Sequence, residues 1–169
     1  TVHGRTAKQS YSGLADWDFV TEVARTVSIP VFGSGDCIEP EDIVARMGAG
    51  VSGVTAARGV LRNPWILAQA RDLMEGKAAR SITHEERGQF LLDYMQLLLS
   101  ENVPESGKAL SRERWVINKI RALCSWYTKG FDGGAQFRIG VNSAKSISEL
   151  RDLVEGFFLL ARWPVGPFA

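Results

Sequence analysis

The stretch Ile29-Pro30-Val31-Phe32-Gly33-Ser34-Gly35-Asp36 decides how the first part of this chain folds. A short apolar run ending on two glycines and an acid reads as a buried strand that delivers a loop at its C-terminal end. The residues after it agree. Pro40 suits the first turn of a helix, Glu41 and Asp42 are favourable near its positive end, and Gly48 and Gly50 stop it. Val51 to Ala56 then reads as another buried strand, closing on Ala57-Arg58-Gly59. Working backwards, Asp16 can cap a helix with apolar Phe19, Val20, Val23, Ala24 and Val27 at helical spacing, and Trp17 packs it. Thr1-Val2-His3 reads as the end of a preceding strand. Strand, loop and helix repeated in this order are the grammar of a parallel α/β sheet.

From Asn63 onward the pattern is helical only. Pro64 opens a predicted helix to about Glu75, and Thr83 with Glu86 forms a capping-box signal for another to about Ser100. A long helix is predicted from about Lys108 to Tyr127, with Leu110, Ile117, Ile120, Cys124 and Tyr127 as its apolar stripe and Gly130 ending it. A shorter helix covers Ala135 to Val141. Ser146 caps a final one through Leu160, with Ile147, Leu150, Leu153, Val154, Phe157 and Phe158 facing inward. Trp163 to Ala169, with two prolines and no period, reads as a disordered tail.

The chain has 169 residues, 45% of them hydrophobic and 23% charged, which suits a globular protein of one domain or a domain and part of another. No apolar run approaches the roughly 20 residues that span a bilayer, and the opening residues do not form a signal peptide. Because the chain opens inside a strand and without methionine, it reads as a piece of a longer protein. Cys37 and Cys124 fit neither zinc spacing nor a disulfide framework. No metal site is expected, and a reducing, cytoplasmic setting is. The net charge is +1, but residues 104–145 hold eight basic and three acidic residues, a balance of +5 that leaves −4 elsewhere. Such a module can meet an anionic partner; on charge alone, a solvated helical surface is the better reading.

Three loops follow predicted strands: His3-Gly4-Arg5-Thr6, Gly33-Ser34-Gly35-Asp36 and Ala57-Arg58-Gly59. In parallel α/β folds ligands bind at the C-terminal ends of strands, so these loops share one rim. Glycines let backbone N–H groups approach an anion closely, and Arg58 offers a planar, charged fork. Either glycine loop alone could be no more than a tight turn. Two at successive strand ends, one with an arginine, point to a phosphate-bearing ligand. A lone histidine is more often a satisfied structural one, but the place of His3 at a strand end, two residues before Arg5, raises the case for a ligand contact above the usual. His84, at the start of a surface helix, has no evident role.

These residues resemble a family. Thr1-Val2-His3-Gly4-Arg5-Thr6 with Gln9, Tyr11, Gly13 and Ala15-Asp16-Trp17 is similar to the strand-six signature of tRNA-dihydrouridine synthases. Residues 29–36 and 53–59 resemble its strand-seven and strand-eight motifs, with Ser34 where asparagine is usual and Ala57 where glycine is usual. Asn63-Pro64-Trp65-Ile66, Trp126-Tyr127-Thr128-Lys129-Gly130 and Phe137-Arg138 with Asn142 match later landmarks, and Arg121-Ala122-Leu123 stands where Arg-Lys-His is frequent. The likeness covers about residues 1–158, and the bacterial, nitrogen-regulation-like branch fits best.

The resemblance implies an α/β fold: the C-terminal part of a TIM (β/α)8 barrel over residues 1–75, an all-α tRNA-binding domain over 80–161, and a tail at 162–169. It implies an FMN-dependent enzyme that uses NADPH and reduces uridine in tRNA to 5,6-dihydrouridine, monomeric when full length. His3 would contact the flavin, while Ser34, Gly35, Asp36, Ala57 and Arg58 would cradle its phosphate region. Arg114, Arg121 and Arg138 would meet RNA. The family's catalytic cysteine lies upstream of the part represented here, so no catalytic residue is expected in this chain. Two alternatives stay open: another FMN barrel, such as a dihydroorotate dehydrogenase or an old-yellow-enzyme relative, and a non-catalytic RNA-binding or scaffold role.

Overall fold

The computed structural model describes residues 1–101 and 112–160. The expected start of the long helix, with Lys108 and Leu110, and the expected tail at 162–169 lie outside the described residues. The chain divides into two compact units, Thr1–Ser81 and Ile82–Ala169.

The first unit is a three-stranded parallel sheet with helices. Strands β1 (Val2–His3), β2 (Phe32–Ser34) and β3 (Gly53–Thr55) lie in sequence order. Helix α1 (Trp17–Thr26) connects β1 to β2, and α2 (Pro40–Met47) connects β2 to β3. Parallel neighbours need such crossovers, which is why each strand is followed by a helix. Asp16 caps α1 by accepting from the Phe19 N–H, and Pro40 opens α2. Two short helices follow, α3 (Arg58–Arg62) and α4 (Ile66–Met74). The core of the unit gathers Trp17, Val20, Cys37, Ile43, Val51 and Ile66.

Several local expectations change. Phe19 and Val27 of the expected apolar stripe are half exposed, at 50% and 40%, because α1 is short and buries only the Trp17 and Val20 face. Ile29 is exposed; β2 begins three residues later. Ala57-Arg58-Gly59 is not only a loop, since α3 starts at Arg58. Pro64 does not open a helix. Asn63 ends α3 and makes a turn, its side chain accepting from the Trp65 N–H, and α4 starts at Ile66.

The second unit is built from α5 (His84–Ser100), α6 (Arg112–Tyr127), α7 (Gly134–Ser143) and α8 (Ile147–Phe158). Thr83 and Glu86 form the reciprocal capping box expected of them, and Ser146 caps α8. The predicted stripe of α6 is buried at Ile117, Ile120, Cys124 and Tyr127 and packs with Leu91, Phe137 and Phe158 into one core. Gly130 takes a positive φ of 84° just past α6, the left-handed turn that glycine allows. Helix α8 stops at Phe158, two residues short of the expected end at Leu160.

Candidate functional site

The parallel register aligns His3 with Ser34 and Ser34 with Thr55. The C-terminal ends of all three strands therefore stand side by side, and the loops leaving them converge. Between them lies a cleft of about 150 Å³, lined by His3, Tyr11, Ser34, Gly35, Asp36 and Arg58 among others.

Backbone packing sets the shape of this rim. The Trp17 side chain is buried, and its Nε1–H donates to the Gly35 carbonyl at 2.9 Å. A Cβ at Gly33 would stand 2.5 Å from the Trp17 ring, so only glycine lets β2 pass. Gly35 and Asp36 both adopt positive φ, 126° and 52°. This turns the chain sharply off β2 and brings the Asp36 carboxylate back over the strand ends. Aspartate tolerates the left-handed region better than most residues.

The polar centre of the rim is Asp36. Arg5 grips it with two parallel bonds, Nη1 to Oδ1 at 2.8 Å and Nη2 to Oδ2 at 2.7 Å. The Ala15 N–H donates to Oδ2 at 2.7 Å, and Arg58 Nη2 donates to Oδ1 at 3.1 Å. Arg5 hydrogen-bonding, with the positive charge beside it, holds the Asp36 carboxyl below the usual carboxylate range. Arg5 also donates to the Ser12 and Gly13 carbonyls, and only 4% of its side chain is exposed. Arg58 is different. Its side chain is 44% exposed, and its guanidinium lies over the Tyr11 ring, 4.6 Å from the centroid. It keeps N–H groups beyond the single bond to Asp36, so it can still take an anion. Nδ1 of His3 accepts from the Arg5 N–H at 3.0 Å, which leaves Nε2 to carry the proton of the neutral ring.

Ser34, Gly35, Asp36, Ala57 and Arg58 thus meet at one cleft with His3. Tyr11 also lines it, and Arg5 holds Asp36 from beneath through a pair that joins residues 31 apart and that no local pattern shows. The only available signal was an arginine at a strand end facing an acid at the next strand end. Cys37 lies beside the rim but is buried, and burial pushes its thiol up to about 11; Cys124 is pushed up to about 12 in the helical core. Neither is a reactive thiolate.

In the helical unit the three expected arginines differ in setting. Arg114 is exposed on α6. Arg121 donates to the Val141 carbonyl at 3.0 Å and the Ala144 carbonyl at 2.7 Å, closing the C-terminal end of α7, and to Asn118. Arg138 donates to the Thr128 hydroxyl at 3.1 Å. His84, given no role above, has one here: it lies against Phe131, Phe157 and Phe158, and Nε2 sits 2.9 Å from the Phe157 carbonyl, tying the start of α5 to the end of α8. Among the described residues no cluster of His, Cys, Asp and Glu could hold a metal ion, and no helix is long and apolar enough to cross a membrane.

The fold and rim define a parallel α/β unit with an arginine-bearing cleft at its strand ends, followed by a helical unit. Residues 1–161 match the model of the dihydrouridine synthase family (Dus), and the chain belongs to that family. It is similar to a probable tRNA-dihydrouridine synthase of Rickettsia prowazekii (strain Madrid E), 29% identical over 163 residues, covering 94% of this chain and 46% of the relative. A probable tRNA-dihydrouridine synthase of Mycobacterium leprae (strain TN) is 32% identical over 152 residues, 88% of this chain and 37% of that protein. A tRNA-dihydrouridine(47) synthase (NAD(P)(+))-like protein of Mus musculus is 30% identical over 131 residues, 77% and 20% of the two chains. The chain thus spans less than half the length of these relatives.

Proposed function

We propose that the rim takes the phosphate of FMN and that the whole protein reduces uridine in tRNA to 5,6-dihydrouridine at the expense of NADPH. The observation that carries the reading is Arg58, half exposed at a strand-end cleft with donors to spare. The residues present fit one part of the group. A cleft of about 150 Å³ has room for several waters, hence for a phosphate, but not for a tricyclic ring. Bound there, a flavin would supply the hydride chemistry that the names of the relatives require.

The chain's own residues bind and orient. Arg58 meets the phosphate with charge-assisted bonds, and the Ser34 and Gly35 backbone shapes its seat. Ala57 leaves room beside it, and His3 lines the same cleft. In this reading β1, β2 and β3 are the last strands of a (β/α)8 barrel within residues 1–75. Residues 80–161 form the tRNA-binding module in a cytoplasmic enzyme. Arg114, Arg121 and Arg138 contribute to RNA contact, the latter two with the N–H groups their structural bonds leave over. A surface of this kind would read tRNA by shape and phosphate position.

The test is the FMN affinity of the full-length protein with Arg58→Ala. Removing a charge-assisted phosphate bond worth about 1.5–3 kcal/mol should weaken FMN by about 10- to 150-fold and lower dihydrouridine formation at limiting FMN. An FMN affinity unchanged by the substitution would remove the basis of the reading. The 169-residue chain by itself should hold FMN only weakly, because the three strands among the described residues cannot enclose the ring.

A further inference from the structure

We infer that Asp36 is a positioning residue that never touches the ligand. It fixes the guanidinium of Arg58, with Arg5 and Tyr11 as the supports that hold the pair. The inference rests on the reading of the rim as a phosphate site and adds a role for a carboxylate that such a site does not call for.

A carboxylate beside a phosphate is repulsive unless its charge is otherwise engaged. Asp36 is engaged. Its two oxygens accept four bonds, two from Arg5, one from the Ala15 N–H and one from Arg58. Four is about the full lone-pair capacity of a carboxylate, so no acceptor site is left to contact a ligand hydroxyl. Arg5, 4% exposed, neutralises the acid and cannot itself reach solvent. Arg58 then remains as the uncompensated positive charge.

The same carboxylate decides where that charge sits. An arginine at 44% exposure would ordinarily sample many rotamers. Here one Nη is tied to Asp36 Oδ1 and the guanidinium plane rests over Tyr11. Tyr11 is 72% exposed and belongs to the loop that Arg5 anchors through the Ser12 and Gly13 carbonyls. Arg5, Asp36 and Tyr11 together hold Arg58 ready for an anion, and the entropy of ordering it is met before binding.

The experiment measures the affinity of the full-length protein for FMN and for riboflavin, which lacks the phosphate, by flavin fluorescence. The variants are Asp36→Asn, Arg58→Ala and the double substitution. Asparagine accepts the left-handed backbone at position 36 but takes the charge partner from the buried Arg5 side chain. Circular dichroism therefore checks the fold, and Asp36→Glu, which moves the carboxylate off Arg58 while keeping its charge, serves with the same expected outcomes should Asp36→Asn unfold. The positioning role predicts that Asp36→Asn weakens FMN about 3- to 10-fold, even though it removes a negative charge. Riboflavin affinity should be unchanged, and the weakening should vanish in the Arg58→Ala background. Three results overturn it: FMN binding unchanged or tighter in Asp36→Asn, equal weakening with Arg58 absent, or equal weakening of riboflavin. A wild-type protein that does not prefer FMN over riboflavin defeats the phosphate-site reading itself, which separates the two failures.

Discussion

Replacing Arg121 by alanine should loosen the end of α7 before it affects anything else. The side chain makes three bonds: Nε to the Val141 carbonyl at 3.0 Å, Nη2 to the Ala144 carbonyl at 2.7 Å and Nη1 to Asn118 Oδ1 at 3.1 Å. The two carbonyls belong to the last turn of α7 and its cap, where helix geometry leaves acceptors without internal partners. A hydrogen bond from a charged donor contributes about 1.5–3 kcal/mol, and a cation at a helix C-terminus about 0.3–1 kcal/mol. These overlap, and water can replace part of them at a half-buried position, so the net loss should be about 1–3 kcal/mol. In a unit of this size that corresponds to about 5–20 °C in its melting temperature. Arg121→Lys keeps the charge but not the fork, and should recover only part of the loss. Hydrogen exchange of the α7 amides in the full protein provides the local readout, with thermal melting beside it. If Arg121→Ala protects α7 as well as the wild type while tRNA affinity falls, the capping argument is refuted and the residue serves RNA alone.

Three further outcomes follow from the packing and the charges. Gly88→Ala should cost about 1–3 kcal/mol, since a Cβ there collides with the Phe158 side chain in the helical core; thermal melting checks this, and an unchanged midpoint would show that α8 yields freely. Cys37 and Cys124 should resist iodoacetamide at pH 8 in the native protein and react only on denaturation, because burial raises both thiols to about 11 and about 12; rapid native labelling of either would contradict their burial. Asp72, hydrogen-bonded to Arg80, is held at about 2 against an ordinary 3.8, and Asp36 is lowered by Arg5. A depressed carboxyl contributes stability above its unfolded value that is lost as pH falls through the folded one, so the first unit should weaken between about pH 4 and pH 2. Asp72→Asn should flatten this dependence, and an unaltered slope would exclude that ion pair as its source.

What could be seen in the sequence was mostly what is local. Asp16, Thr83 with Glu86, and Ser146 cap their helices because a cap needs only residues within three positions. The strand-end placement of His3, Ser34 and Arg58 was equally legible, since alternating strands and helices leave one side of a parallel sheet for loops. The helix α3 was missed because Arg58-Gly59 reads as turn chemistry and its five residues are too few to show a period. The duty of Arg121 was hidden for another reason: its carbonyl partners lie 20 and 23 residues away and belong to main chain that carries no side-chain signature. Arg5 and Asp36, 31 residues apart, are the same case within the site.

These long-range bonds change what a count of charges means. Summed along the chain, Arg5, Arg58, Arg121 and Arg138 are equal units of basicity. In the folded protein they differ in how many N–H groups remain to be used. Arg5 has two bonds to Asp36 and two to main-chain carbonyls and is closed to solvent. Arg121 is committed to the end of α7 through its Nε and one Nη. Arg58 gives a single Nη to Asp36 and lies 44% exposed at the mouth of a cleft. The local excess of positive charge near the rim therefore comes from the arginine whose partner is already matched by another. In the proposed anion site an acid at the centre is then no contradiction: paired with Arg5 at 2.7–2.8 Å it would leave a ligand's attraction to Arg58 intact and supply the geometry. By the same logic, the basic surface of the helical unit should be ranked by the donors left over in each residue, not by its formal charge. That ordering puts Arg138, bonded through Nη1, ahead of Arg121, committed through Nε and both Nη, in any contact with RNA phosphates, and Arg138→Ala should flatten the salt dependence of tRNA binding more than Arg121→Ala.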